Sequence, residues 1–392
     1  MEVDGFVVMK KAIDVTRSIN GKVERELWGR AAARCEFSDC NKLLYKSHVT
    51  QEPVNLAEMA HIYSFSKDGP RGWGPFKFNR TGLNDVGNLM LVCHDCHKKI
   101  DQDIKGERYS PGLLIRWKSD HENRVRIATG IPANKRSHVV FYGSRIGEEN
   151  SPLQFGSAYE AMFPDSFPAD DRPINLSMHS ALDDSTPEFW IAHEQHLKKE
   201  FDRHIRPRID EGQPNHFSIF ALASQPLLIQ LGALFTDKVP AIVYQPVREP
   251  KTWRRQPNPD GFCFTVNEPD DKSGEPVVIF SISDKVAHNR VSSVFKERIS
   301  IWEVTSSDCH NDCLRSEAQL SEFRTEIRKL FVSIRAAHPD AKEIRIFPVM
   351  PVACAIELGR LRMPKADLPW IIFDHHNKAN AFVKRLTIGA NQ

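Results

Sequence analysis

The chain lacks any apolar run of the roughly 18 residues that a membrane-spanning helix needs. Its first residues, Met1-Glu2-Val3-Asp4, also lack the basic-then-apolar pattern of a secretory signal. Both absences lead to the expectation of a cytoplasmic protein with no membrane partner. An excess of charge of one sign is missing too. Lys and Arg number 53 against 51 Asp and Glu, a formal net charge of +2, so overall charge selects no class of partner. Cysteine is sparse, with 8 in 392 residues, which excludes a disulfide framework. The remaining composition, 41% hydrophobic and 27% charged, is that of a soluble globular chain. The length suggests two domains, with three as the alternative.

Four of the cysteines nevertheless form two tight pairs, Cys35 with Cys40 and Cys93 with Cys96. Two such knuckles in one region have the spacing of tetrahedral zinc, and four thiolates would close the coordination sphere and make the ion structural. Cys309 and Cys313 have no second pair and are expected as free thiols in a surface turn, with Cys263 and Cys354 unassigned. Asn88 and His97 flank the second knuckle, and His61 lies upstream in Glu58-Met59-Ala60-His61. His97 and Asp101 are spaced i, i+4, which puts both on one face of a helix and allows them to share a metal. Residues 64–86 read as a Gly/Pro-rich loop, and Pro111 to about Thr129 as a helix ended by Gly130.

His61, Asn88 and His97, with the last directly after the Cys93–Cys96 pair, resemble the HNH (ββα-metal) nuclease family over roughly residues 28–120. The resemblance implies an α+β domain with a zinc ribbon. It makes His61 the general base on a strand, Asn88 the residue that holds that strand and its loop, and His97 a ligand of a catalytic divalent cation such as Mg²⁺. Many members carry a metal-binding acid or His just before the base; here Ala60 stands there. Asp101 is the preferred replacement, with Glu58 as the alternative. Lys98, Lys99, Arg116, Lys118, Arg124 and Arg126 offer a phosphate-facing surface, although acids are interspersed among them.

The C-terminal part contains an internal echo. Residues 219–234 align without a gap on 346–361, and the shared positions include Ile229, Leu231, Gly232 and Leu234 against Ile356, Leu358, Gly359 and Leu361. Each copy reads as a strand, a turn and an apolar helix, followed by another strand at 241–244 or 370–373. Two such units predict an α/β domain of two halves with partly parallel sheets. Further strands are expected at 277–283 and 299–305, and a helix at 316–337. Ligands of such sheets bind outside the strand carboxyl ends. Gln225, Lys238, Tyr244, Gln245, Arg248 and Trp253, with Arg360, Arg362 and Lys365, collect near the turns, where aromatics would stack on bases and cations would pair with phosphates.

The segment 220–226, the residues Tyr244, Gln245, Arg248 and Trp253, and the stretch 348–370 resemble the SAVED domain, two fused CARF-like Rossmann halves that sense cyclic oligonucleotides. The whole chain is similar to HNH–SAVED effectors of CBASS anti-phage systems. The resemblance implies an HNH domain at 1–135, a linker at 136–159 and a SAVED domain at 160–392. It also implies a cyclic di- or trinucleotide made by a cognate nucleotidyltransferase, a homo-oligomer, and ligand-switched cleavage of double-stranded DNA. A restriction-type nuclease whose C-terminal domain reads DNA sequence or base modification is the alternative, and a zinc-ribbon DNA-binding regulator with inert HNH residues is a third reading.

Overall fold

The computed structural model describes residues 16–144, 153–211, 216–376 and 380–389. Residues 1–4, on which the signal reading rested, lie outside them. The chain divides into two compact units, Met1–Pro132 and Ala133–Gln392. Among the described residues no helix is long and apolar enough to cross a membrane.

The N-terminal unit opens with helix α1, Gly21–Ala31, whose first turn is capped by the Asn20 side chain accepting from the Lys22 amide. Strand β1 (Ala57–His61) pairs antiparallel with β2 (Leu89–Cys93), His61 lying opposite Leu89. β2 is buried along its whole length, and helix α2 (His94–Gln102) starts directly from it. Helix α3 runs over Pro111–Thr129 with Ser110 as its cap, the span expected from its Pro start and Gly stop. Between β1 and β2 the expected loop contains three short 3₁₀ turns, Gly74–Lys77, Arg80–Asn84 and Val86–Asn88. One core holds Leu27, Leu44, Ala60, Leu89, Leu91, Ile100 and Leu114, with the zinc-spaced cysteines at its edge.

The second unit starts at Ala133, close to the boundary near 135 and ahead of residue 160, where the SAVED domain was expected to begin. The apolar run 139–143 reads as a short β-like segment, and within the stretch 136–159 expected as linker it forms strand β3 (Arg136–Gly143), an interior strand of a five-stranded sheet with all but its first residue buried. The cause is long-range: β3 pairs in parallel with a strand near residue 220, a partner that no local pattern announces. Helix α4 (Phe155–Met162), β4 (Phe167–Pro168), β5 (Ile174–Asn175), α5 (Pro187–His204) and α6 (Arg206–Glu211) follow. The first half closes with β6 (Phe217–Leu222), α7 (Gln225–Phe235) and β7 (Ala241–Tyr244), in strand order β4-β3-β6-β7 with β5 on β3.

The second half contains β8 (Phe264–Asn267), β9 (Glu275–Ser281), α8 (His288–Ser292), β10 (Ile299–Ser306) and α9 (Glu317–Ala337). It ends with β11 (Ile344–Val349), α10 (Val352–Leu361), β12 (Trp370–His376) and β13 (Ala381–Ile388). The six strands lie in the order β13-β12-β11-β9-β10-β8, with a parallel centre and antiparallel edges.

The sequence echo is the axis of this unit. β6–α7 and β11–α10 are its two copies, and their helices pack on each other. A Cβ built on Gly232 would come within 1.9 Å of the Ile356 carbonyl, and one on Gly359 within 2.0 Å of the Ile229 carbonyl. The contact is reciprocal, as the repeat requires, and only glycine permits it. Gly359→Ala adds about 1 kcal/mol of helix propensity. Against that, two helix backbones must move apart, which puts the overpacking cost at the upper end of about 1–3 kcal/mol. We therefore expect a net destabilisation of about 2 kcal/mol, read as a lower urea midpoint for the second unit. An unchanged midpoint would mean that the helices are not in backbone contact.

Candidate active site and sensor surface

Cys35 and Cys40 lie in turns after α1, Cys93 ends β2 and Cys96 sits in the first turn of α2. Their four Sγ atoms lie within 4.8 Å of one another. Cys40 and Cys93 Sγ are 3.9 Å apart, and sulfurs on a tetrahedral zinc at about 2.3 Å would be about 3.8 Å apart. The donor set therefore fits zinc. Burial pushes the Cys35 thiol up to about 12 and raises Cys96 as well. Burial also opposes ionisation of Cys93, but hydrogen bonds from Cys96, Cys40 and Cys35 hold it below the usual thiol range. Four thiolates this close need a cation among them. Of the other cysteines, Cys313 is buried rather than in a surface turn, and Cys309 is half-buried.

His61 ends β1, half-buried, with its Nε2 2.9 Å from Asn84 Oδ1. The Asn84 amide nitrogen donates to the carbonyls of Thr16 and Ser18, which fixes the amide's orientation. Asn84 Oδ1 must then accept the Nε2 proton, leaving the Nδ1 lone pair free for a base. Burial, with opposition from the Asn84 hydrogen bond, holds the imidazole below its ordinary pKa. Asn88 is 3% exposed. Its Oδ1 accepts from the Tyr63 amide, its Nδ2 donates to the Tyr63 and Leu83 carbonyls, and its own carbonyl takes the Ile62 amide. It joins the end of β1 to the turn that precedes β2.

His97 and Asp101 share the outer face of α2, His97 Nε2 lying 3.3 Å from Asp101 Oδ2. Neighbouring ligands on an octahedral ion with bonds of about 2.1 Å are about 3 Å apart, so this pair fits a small divalent cation. Glu58 faces the other ring nitrogen, 3.8 Å from His97 Nδ1, and lies 3.2 Å from His94 Nδ1. That is where a carboxylate orients a metal-binding imidazole instead of sharing its metal. Ala60 is 1% exposed and packs in the core.

Neither Asn84 nor Arg71 was singled out by sequence pattern. Arg71 adopts a positive φ of 62°. Its guanidinium donates to the carbonyls of Ile62 (2.6 Å), Ile100 (2.8 Å) and His61 (3.1 Å). It also lies 3.6 Å from Asp101 Oδ1. One side chain thus ties the strand that bears His61 to the helix that bears His97.

In the second unit the structure separates the expected ligand residues into two groups. Gln225 opens α7 and Gln245 follows β7, both at strand carboxyl ends. Gln225 Nε2 donates to the Met350 carbonyl, and Gln245 Oε1 accepts the Ala353 amide at the start of α10. Each glutamine crosses from one half to the other. Gln225 Oε1 is buried with no hydrogen-bond partner. Tyr244 is buried and stacks on Phe220 at 4.3 Å, and Trp253 meets the same ring edge-on at 5.3 Å. The exposed Arg248 gives its amide to Asp312.

Lys238, Arg360, Arg362 and Lys365 are at the opposite end of the sheets, because α7 and α10 have by then returned to the strand amino ends. Arg360 is buried and donates to the carbonyls of Thr236, Val239 and Ala241 and to Glu357. Arg362 is buried over the Trp370 ring at 5.9 Å and reaches the Asp367 carbonyl. The hydrogen bonds of these two arginines close helix ends, while Lys238 and Lys365 are exposed at the same end of the sheets.

The N-terminal unit thus holds an imidazole whose tautomer is set by an amide, near a His–carboxylate pair that suits a divalent cation. The two strands followed by α2 form a ββα unit, and the second unit is an α/β fold of two related halves. Residues 35–103 match the HNH endonuclease family. Residues 197–388 match the SMODS-associated and fused to various effectors sensor domain, SAVED. The chain therefore carries an HNH endonuclease domain, a phosphodiester-hydrolase fold, ahead of a SAVED sensor domain.

No curated protein matches the chain. Among solved structures, it is similar to the Acinetobacter baumannii Cap4 SAVED/CARF-domain containing receptor with the cyclic trinucleotide 2'3'3'-cAAA. The identity is 11%, the TM-score 0.43, and the alignment covers 76% of this chain and 61% of that one. The same receptor with 3'3'3'-cAAA aligns at 11% identity and TM-score 0.42, covering 78% and 69%. The Moraxella osloensis Cap4 receptor aligns at 9% identity and TM-score 0.36, covering 74% and 63%. The chain thus spans 61% of the length of the first of these structures.

Proposed function

We propose that the chain is a nuclease that cleaves double-stranded DNA and is switched on by a cyclic di- or trinucleotide, acting in the cytoplasm as an anti-phage effector. The observation that supports the chemistry best is the fixed tautomer of His61. Its Nδ1 takes a proton from water, and the resulting hydroxide forms the new P–O bond while the bond to the 3′ oxygen breaks. His97 and Asp101 would hold a divalent cation, Mg²⁺ or similar, that neutralises phosphate charge and stabilises the leaving oxygen. Asn88 and Arg71 keep base and ligand pair in register. Arg71→Met removes the donor of three carbonyls and the partner of Asp101. We expect a loss of cleavage of about 10–100-fold, the scale of groups that orient metal ligands. Arg71→Lys should not restore it, because an ammonium cannot reproduce the planar fork. Cleavage of plasmid DNA by either variant at the parental rate would remove Arg71 from the site.

The sensing half of the proposal is supported by the two glutamine bridges and the unpartnered Gln225 oxygen at the strand carboxyl ends. A nucleotide made by a cognate nucleotidyltransferase would bind there, change how the halves meet and promote homo-oligomer assembly. Switching from 1:99 to 99:1 requires about 5.5 kcal/mol of preferential binding to the active state, within reach of stacking at about 1–3 kcal/mol per base together with phosphate contacts. Gln245→Ala leaves the Ala353 amide without its acceptor. It should raise the activating concentration about tenfold or more while leaving zinc content unchanged. The experiment for the whole reading is plasmid cleavage in Mg²⁺ with and without a panel of cyclic di- and trinucleotides. Dependence on one nucleotide supports it. Discrete fragments with no nucleotide would make the second unit a reader of DNA.

A further inference from the structure

Phe78 is 94% exposed, an unusual position for a benzyl group. The segment that presents it is firmly held. Trp73 Nε1 donates to the Phe65 carbonyl at 3.1 Å, and Phe76 packs edge-on against Tyr63 at 6.0 Å. The Asn79 side chain accepts from both the amide and the hydroxyl of Thr81. The same 3₁₀ turn ends at Asn84, which fixes His61. At about 2 Å of rise per residue, Phe78 lies roughly 12 Å along the chain from that contact. Cations are close to it in the chain: Lys77 Nζ is 5.7 Å from the centre of its ring, and Arg80, two residues on, lies over Trp73 at 5.1 Å. No carboxylate occurs between Asp68 and Asp85.

A protein partner would call for an apolar patch around the ring, whereas the chain neighbours of Phe78 are Lys77, Asn79 and Arg80. A lone apolar tip between cations suits duplex DNA, where inserted Phe side chains unstack base steps in the minor groove and basic neighbours take the phosphates. We propose that Phe78 is such a wedge, with Lys77 and Arg80 as its phosphate contacts, and that it seats the duplex for attack at His61. The proposal rests on the nuclease reading above.

The test uses the full chain carrying His61→Ala, so that DNA stays intact, with duplexes containing 2-aminopurine and the cyclic-nucleotide panel present. Binding should raise 2-aminopurine fluorescence. Adding Phe78→Ala should abolish the rise and weaken binding roughly tenfold or more, with no change in salt dependence. Phe78→Leu should keep the rise, since leucine also wedges. Lys77→Ala with Arg80→Ala should instead lower the slope of log K against log salt by about 1.8. Zinc content and the unfolding midpoint report that each variant is folded. Unchanged affinity and fluorescence in Phe78→Ala overturn the wedge, as does a loss of self-association without any change in DNA binding. Plasmid cleavage by the unmutated chain decides the nuclease reading separately, so a chain that cuts DNA with Phe78 dispensable refutes this proposal alone.

Discussion

His61→Ala lowers the rate of DNA cleavage by about 10²–10⁴-fold, the usual contribution of a general base, and leaves zinc content and nucleotide binding intact. The side chain makes one hydrogen bond and is half-buried, so its loss opens little space. The wild-type pH profile carries a second signature. Burial holds the His61 pKa below 6.5, and a cation at His97 would push it the same way. The acid limb of cleavage therefore falls below pH 6.5, and the base is already neutral at physiological pH. For stability the sign is the reverse of that for a salt-bridged histidine. The unfolded chain binds this proton more readily, so folding is penalised below the unfolded pKa and the penalty disappears as pH rises through it. His61→Ala should remove both effects. Cleavage by that variant at the parental rate would assign the base elsewhere.

What could be read from the sequence was whatever depends on neighbours along the chain. The cysteine pairs, the i, i+4 relation of His97 and Asp101, and helix α3 between Ser110 and Gly130 are all local. The repeat was also visible, because its two copies resemble each other whatever they touch. Arg71 escaped notice because its partners lie 9, 10 and 29 residues away and are reached only through a left-handed turn. The β-like run at 139–143 was legible, but its place inside the second unit's sheet was not, because its partner β6 follows far later in the chain. Arg360 and Arg362 were ambiguous for a different reason. A guanidinium beside a helix can bind a phosphate or tie down carbonyls, and composition does not separate the two. Strand polarity does: Arg360 lies in the last turn of α10 and Arg362 caps it, on the side away from the strand carboxyl ends.

Cys93→Ser abolishes zinc binding and unfolds the N-terminal unit, while the second unit keeps its own unfolding transition. The reasoning begins with how little regular structure surrounds the knuckles. Between α1 and β1 the chain forms only turns, bends and the isolated bridges Arg34–Leu43 and Lys46–Pro53, and the sheet beyond has two strands. Structural zinc contributes an apparent 10–16 kcal/mol or so in zinc-finger peptides, as much as the roughly 5–15 kcal/mol that a whole domain commands. Hydrogen bonds also converge on the site: the Cys93 amide donates to Cys35 Sγ, and Glu36 exchanges two hydrogen bonds with Leu91 on β2. Metal content by atomic absorption should fall from one zinc per chain to none, with far-UV circular dichroism showing loss of α1 and α2. A variant that keeps a full zinc and a normal fold would refute the four-cysteine site. Substitution is the better probe than chelation here. A chelator would strip any cation held at His97 together with the zinc, whereas Cys93→Ser acts on the zinc first. Cys96 adjoins His97 on α2, so a unit that loses its zinc also loses the position of its cation ligand. Added Mg²⁺ should not rescue cleavage in Cys93→Ser, whereas it should do so in a wild-type chain stripped of the weaker ion alone.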